Sequence, residues 1–131
     1  MTLLLDTHTL LWLAEGSPNL SGTATALLAD SSNTLWVSMA SCWEIAVKLG
    51  IKKMGLSVPF SSFLTTTLSG YGVKVLPITI ADCVEYEKLP FPNPLHRDPF
   101  DRMIIAQAIR SGLAVVGADV AFDSYDITRL W

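Results

Sequence analysis

Four carboxylates in this 131-residue chain stand where an extended run ends or a helix begins. Asp6 closes the run Leu3-Leu4-Leu5, and Asp119 follows Val115-Val116. Glu44 reads as lying in the first turn of a helix that starts at Ser41, and Asp101 in the first turn of one opened by Pro99. Each has a local use. Asp6 suits the N-cap of the helix after it, and Ser41-Cys42-Trp43-Glu44 has the spacing of a capping box. Asp98-Pro99-Phe100-Asp101 reads as N-cap, N1 proline and an acidic first turn, and Asp119 suits a turn before Val120. Together the four imply more. Two unit charges about 5 Å apart repel by roughly 3 kcal/mol at an effective dielectric of about 20, and four carboxylates on one sheet edge make six such pairs. Either some are protonated or a divalent cation neutralises them. Helix N-termini keep carboxylates ionised, and oxygen-only ligands point to Mg²⁺ or Mn²⁺ rather than zinc. Such a cation suits phosphodiester hydrolysis, where it activates water and stabilises the leaving oxygen.

Short apolar runs alternate along the chain with longer helical patterns. Extended runs fall at Thr2–Leu5, 35–37, Val73–Leu76 and 113–116, with helices over 7–14, from Ser21 to Leu28, from Ser41, from Pro59, over Ile80–Lys88 and from Pro99. Residues 89–97 form a loop rich in proline, with Pro90, Pro92 and Pro94 close together. Strand runs without polar alternation, separated by helices, predict a parallel sheet covered on both faces. The expected fold is therefore a three-layer α/β/α domain spanning residues 1–131. Open parallel sheets carry their functional groups beyond the carboxyl ends of the strands, and the four acids converge if all lie at that one edge.

Composition narrows the class. The chain is 50% hydrophobic and only 16% charged, against about a quarter charged in an average domain, which excludes a disordered chain. So apolar a chain is expected to cover part of its surface with a second copy or a partner. Nine Lys and Arg against 12 Asp and Glu give a net charge of −3, so any nucleic acid must be held locally rather than by a global basic field. The longest uncharged stretch, residues 54–73, contains Pro59, three glycines and seven Ser or Thr; it reads as loop and polar-faced helix, not a membrane span. Asp6 interrupts the first apolar run and no basic residue precedes it, so a signal peptide is not expected. Cys42 and Cys83 lack metal-ligand spacing. The expected setting is the cytoplasm, with both thiols reduced.

Other residues fit this chemistry less directly. Thr7 and Ser38 are hydroxyl candidates for holding a ligand or water, or for capping strand ends. Arg97 and Arg102 flank Asp98 and Asp101 and are candidate phosphate contacts, with pairing of Arg102 to Asp98 one turn away as the competing role. Lys48, Lys52 and Lys53 form the one basic cluster, and no Lys or Arg precedes Lys48. They suit either RNA guidance or a helix C-terminus. His8 and His96 read as structural rather than as an acid–base pair. Trp12, Trp36 and Trp43 could stack on bases but suit packing better.

Three runs carry a family resemblance. They are Leu4-Leu5-Asp6-Thr7-His8-Thr9-Leu10-Leu11-Trp12, Ser38-Met39-Ala40-Ser41-Cys42-Trp43-Glu44-Ile45-Ala46-Val47-Lys48, and His96-Arg97-Asp98-Pro99-Phe100-Asp101-Arg102-Met103-Ile104-Ile105-Ala106-Gln107-Ala108. In order and spacing they resemble the PIN-domain signature, and more narrowly the VapC toxins of type II VapBC toxin–antitoxin systems. The resemblance implies a Mg²⁺-dependent endoribonuclease that leaves a 5′-phosphate, with Asp6, Glu44, Asp101 and Asp119 as the acidic quartet and Asp98 in a supporting role. Asp6 and Asp101 would ligate the metal directly, with Asp123 as a rival to Asp119. It also implies an RNA substrate and a cognate antitoxin protein, and the high hydrophobicity agrees with a homodimer. Phosphoaspartate chemistry fits poorly, because His8 stands where a phosphatase of that type needs a second Asp. Residues 114–125 likewise lack the lysine of a receiver domain. A housekeeping RNA-processing nuclease and a silent binding module remain alternatives, the second disfavoured by the intact acids.

Overall fold

The computed structural model describes residues 1–131. Five strands, β1 (Thr2–Leu5), β2 (Thr34–Ser38), β3 (Val73–Leu76), β4 (Ala114–Val116) and β5 (Arg129–Leu130), form one sheet in the order β3-β2-β1-β4-β5, with every pair parallel. Six helices, α1 (Thr7–Glu15), α2 (Gly22–Ala29), α3 (Met39–Gly50), α4 (Phe60–Tyr71), α5 (Ile80–Lys88) and α6 (Pro99–Ser111), cover it, and a 3₁₀ turn spans Val120–Ser124. The expected α/β architecture with a central parallel sheet is present.

The two faces follow from the period-two geometry of strands. Leu3, Leu5, Leu35, Val37 and Val116 point into one core with Leu10, Ile45 and Phe63, while Leu4 and Val115 point into a second with Ile104, Ile105 and Phe122. All three leucines of β1 are fully buried, as expected of the central strand of a sheet covered on both faces. No helix is long and apolar enough to cross a membrane.

Two elements differ from the sequence expectation by more than a residue at an end. Helix α3 begins at Met39, directly after β2, with Ser38 as N-cap accepting from the Ala40 N–H at 3.0 Å. Glu44 therefore lies in the second turn, and Ser41-Cys42-Trp43-Glu44 is not a capping box. The last strand of the chain was not expected, because β5 has only two residues and no pattern of its own; pairing with β4 defines it.

Candidate active site

The register of the central strands sets the site. Leu5 pairs with Val37 on one side and Val116 on the other, so the residues that follow these strands emerge at one carboxyl edge. Asp6 emerges from β1, Ser38 from β2, and Gly117 and Asp119 from β4. Asp6 also caps α1: its Oδ1 accepts from the Thr7 N–H at 2.7 Å, and its own N–H donates to the Val116 carbonyl at 3.0 Å. Asp101 arrives from the first turn of α6, whose N-cap Asp98 accepts from the N–H groups of Phe100 and Asp101.

Glu44 faces the same edge from α3. Thr7 Oγ1 lies 2.7 Å from Glu44 Oε1 and 2.8 Å from Ser41 Oγ. A carboxylate only accepts, so the Thr7 proton goes to Glu44 and Ser41 donates to Thr7. The other Glu44 oxygen accepts from Lys48 Nζ at 2.6 Å, and that bond, ahead of its other surroundings, raises the Lys48 pKa.

The acids feel one another. Burial pushes the Asp6 carboxyl up to about 6, against the opposing pull of the Thr7 N–H and His8, and the charges of Glu44 and Asp119 add to the rise. Asp101 is pushed up to about 8, first by burial and then by Asp6, Asp98, Glu44 and Asp119. Oxygens of Asp101 and Asp119 come with a His96 ring nitrogen to within 4.8 Å of one another. Asp123 stands apart, held by Arg129 through two bonds of 2.8 and 2.9 Å. An oxygen-rich cluster in which burial and neighbouring charges raise the pKa of Asp6 and Asp101 is poorly neutralised by the protein alone. It fits a hard divalent cation, with Asp6, Glu44, Asp101 and Asp119 as the residues able to hold it.

Close packing makes room for this cluster. A Cβ at Gly117 would lie 3.0 Å from the Asp6 Cβ and 3.4 Å from Asp6 Oδ2. Glycine is therefore needed there for clearance beside the carboxylate, a requirement the sequence pattern did not signal. A shallow hollow lined by Asp6, His8, Trp12, Ala118 and Asp119 opens the site to solvent.

Some expectations change. Arg102 is 2% exposed, so it presents no guanidinium to RNA and makes no bond to Asp98. It donates instead to the carbonyls of Pro90 and Leu89 and to the Tyr125 hydroxyl, and its guanidinium lies 3.8 Å from the Phe91 ring centroid. The arginine thus fastens the proline-rich loop to α6. Arg102→Ala would leave these acceptors without their donor and is expected to cost about 3 kcal/mol or more, read as a lowered urea midpoint. Arg97 remains exposed, with Nε donating to the Pro94 carbonyl. His96, read from sequence as merely structural, has Nε2 3.1 Å from Asp101 Oδ2. The signal for it was its place five residues before Asp101 in a loop that prolines constrain.

The fold is shared with known proteins. The family model of the PIN domain matches residues 3–127. Ribonuclease VapC22 of Mycobacterium tuberculosis is 28% identical over 118 residues, which are 90% of this chain and 87% of that protein. Among solved structures, VapBC2 of Rickettsia felis bound to a DNA fragment from its promoter superposes with a TM-score of 0.70 at 17% identity, covering 100% of both chains. The Sarcin-Ricin loop cleaving toxin VapC20 of Mycobacterium tuberculosis gives 0.67 at 20% identity over 96% of both. A family model thus covers nearly all of this parallel-sheet chain, and the chain belongs to the PIN domain family.

Proposed function

We propose that the protein is a metal-dependent endoribonuclease, the toxin of a type II toxin–antitoxin pair, working in the cytoplasm. The observation that carries this reading is the convergence of Asp6, Glu44, Asp101 and Asp119, with Asp6 and Asp101 driven toward protonation by burial and mutual repulsion. The similarity to Ribonuclease VapC22 supports RNA as the substrate. The VapBC likeness supports an antitoxin partner. Exposed apolar side chains such as Trp43 (60%) and Ile80 (86%) leave surface for that partner and for a homodimer.

Asp6 and Asp101 would hold the cation, Mg²⁺ or Mn²⁺, with Glu44 and Asp119 completing or flanking its site. When bound, the cation supplies activation of water and stabilisation of the leaving oxygen in phosphodiester hydrolysis. Thr7 fixes the Glu44 carboxylate, and Ser38 and Asp98 fix the starts of the two helices that carry Glu44 and Asp101. Arg97 and Lys48 would contact substrate phosphates, Lys48 from its place beside the Glu44 carboxylate.

The test is cleavage of RNA by the purified chain, free of antitoxin, with Mg²⁺, Mn²⁺ or EDTA. Cutting that needs metal and disappears in Asp6→Asn supports the reading; EDTA-resistant cutting, or an active Asp6→Asn, overturns it. Gly117→Ala is a finer probe. Its methyl must displace Asp6, and displacements of this kind cost about 10- to 100-fold in rate, so cleavage is expected to fall by that much while the melting temperature moves little.

A further inference from the structure

Three polar side chains outside the acidic quartet line up behind Asp101. Arg102 Nη1 lies 3.1 Å from the Tyr125 hydroxyl, that hydroxyl 3.0 Å from His96 Nδ1, and His96 Nε2 3.1 Å from Asp101 Oδ2. The direction of each bond follows from chemistry. A guanidinium can only donate, so the phenol oxygen accepts from Arg102. Tyr125 is 6% exposed, and its single proton has one acceptor in reach, His96 Nδ1. An Nδ1 that accepts carries no proton, so the ring's proton sits on Nε2, facing Asp101 Oδ2. An imidazolium, or the opposite tautomer, would leave the buried Tyr125 proton without a partner.

Packing holds the chain of bonds in place. The His96 ring meets Phe122 and Tyr125 edge-on at 6.1 and 5.6 Å between centroids, and its side chain is 9% exposed. Arg102 is itself anchored by the Leu89 and Pro90 carbonyls and the face of Phe91. The His96 ring is thus held by Phe122 and Tyr125, and the Arg102 side chain, which α6 carries, by the proline-rich loop.

We propose that Arg102, Tyr125 and His96 form a directed hydrogen-bond chain that keeps the His96 proton on Nε2 and so holds one oxygen of Asp101, leaving the other free for the cation. His96 is then a positioning residue and not a metal ligand, although its ring nitrogen lies close to the oxygens of Asp101 and Asp119. A protonated Nε2 has no lone pair to give. The inference rests on the reading of the acidic cluster as a cation site. Partners of this kind behind a ligand set its orientation, and losing one costs about 10- to 100-fold in metal affinity.

Two measurements test it. In nitrogen-15 spectra of the Mg²⁺-saturated protein at about pH 8, His96 is expected to show a protonated Nε2 and a bare Nδ1; the reverse pattern overturns the proposal. Mn²⁺ binding, followed by calorimetry, is expected to weaken about 10- to 100-fold in His96→Ala and by less in Tyr125→Phe. His96→Gln is expected to recover most of the loss, since its amide places an N–H where Nε2–H was. Melting temperatures of the variants separate loss of positioning from loss of fold. If His96→Ala binds Mn²⁺ as tightly as the wild type, the chain does not position Asp101 and the proposal fails. Should the wild type bind no Mn²⁺ at all, the cation reading fails first and takes the proposal with it.

Discussion

Asp101→Asn is expected to abolish RNA cleavage while making the metal-free protein more stable. The side chain keeps its shape and can still accept from His96 Nε2, so packing and the start of α6 are preserved. What it loses is the charge that would hold the cation. A loss of at least about 10³-fold in rate, or about 4 kcal/mol of transition-state stabilisation, is expected. The gain in stability has a separate origin. Asp101 is pushed up to about 8 by burial and by Asp6, Asp98, Glu44 and Asp119, so ionising it in the folded chain is unfavourable. An amide removes that cost, and the benefit grows at alkaline pH where the wild-type group is ionised. Cleavage assays and thermal melts in EDTA at about pH 9 check both halves. A variant that still cuts at a tenth of the wild-type rate, or that melts below the wild type, would sink this account. Asp6→Asn is expected to behave alike in cleavage but to gain less, since the Asp6 carboxyl is raised only to about 6 and caps α1 through the Thr7 N–H.

How much of this was legible in sequence depends on how local the cause is. The leucines of β1 announce a strand buried on both faces, and Asp98-Pro99 announces the start of α6, because a cap and an N1 proline act on their immediate neighbours. The four acids were legible as residues at element ends, yet their convergence depends on strand order, and β2-β1-β4 adjacency is a property of the whole sheet. Ser38 and Ser41 both suit an N-cap in sequence; the direct run from β2 into the helix selects Ser38, which moves Glu44 a turn along and frees Ser41 to meet Thr7. In sequence Arg102 reads as a phosphate contact or a partner of Asp98, because only charge and spacing are visible there. Its burial follows from carbonyls of a proline-rich loop that lack helix or strand partners and require a donor. Tyr125 lies 29 residues from His96, and no spacing rule links them.

The metal-free protein should become less stable as pH rises from acid to mildly alkaline, the reverse of the behaviour expected of paired surface carboxylates. Asp6 and Asp101 have folded-state pKa values near 6 and 8, against an ordinary value of 3.8. The folded chain therefore binds more protons than the unfolded chain between those limits. Their contribution is fully present below about 4 and is lost as pH climbs through 6 and then 8. Asp82 works in the opposite sense. Burial disfavours its charge but is outweighed by bonds from the Thr79 N–H, Arg110 and Gln107, so its pKa is lowered and its contribution is lost only at strong acidity. The two trends place the stability maximum of the metal-free chain below neutrality. A divalent cation should remove the alkaline decline, because it binds the ionised carboxylates and stabilises the fold by mass action. Its affinity is expected to rise about tenfold per pH unit between 6 and 8, where one proton leaves Asp101 on binding. Thermal melts from about pH 5 to 9, in EDTA and in excess Mg²⁺ or Mn²⁺, read this directly. The gap between the two curves must widen with pH and must shrink sharply in Asp101→Asn. A gap that stays constant would mean that the cation does not displace the Asp101 proton, and a gap undiminished in Asp101→Asn would place its binding elsewhere on the molecule.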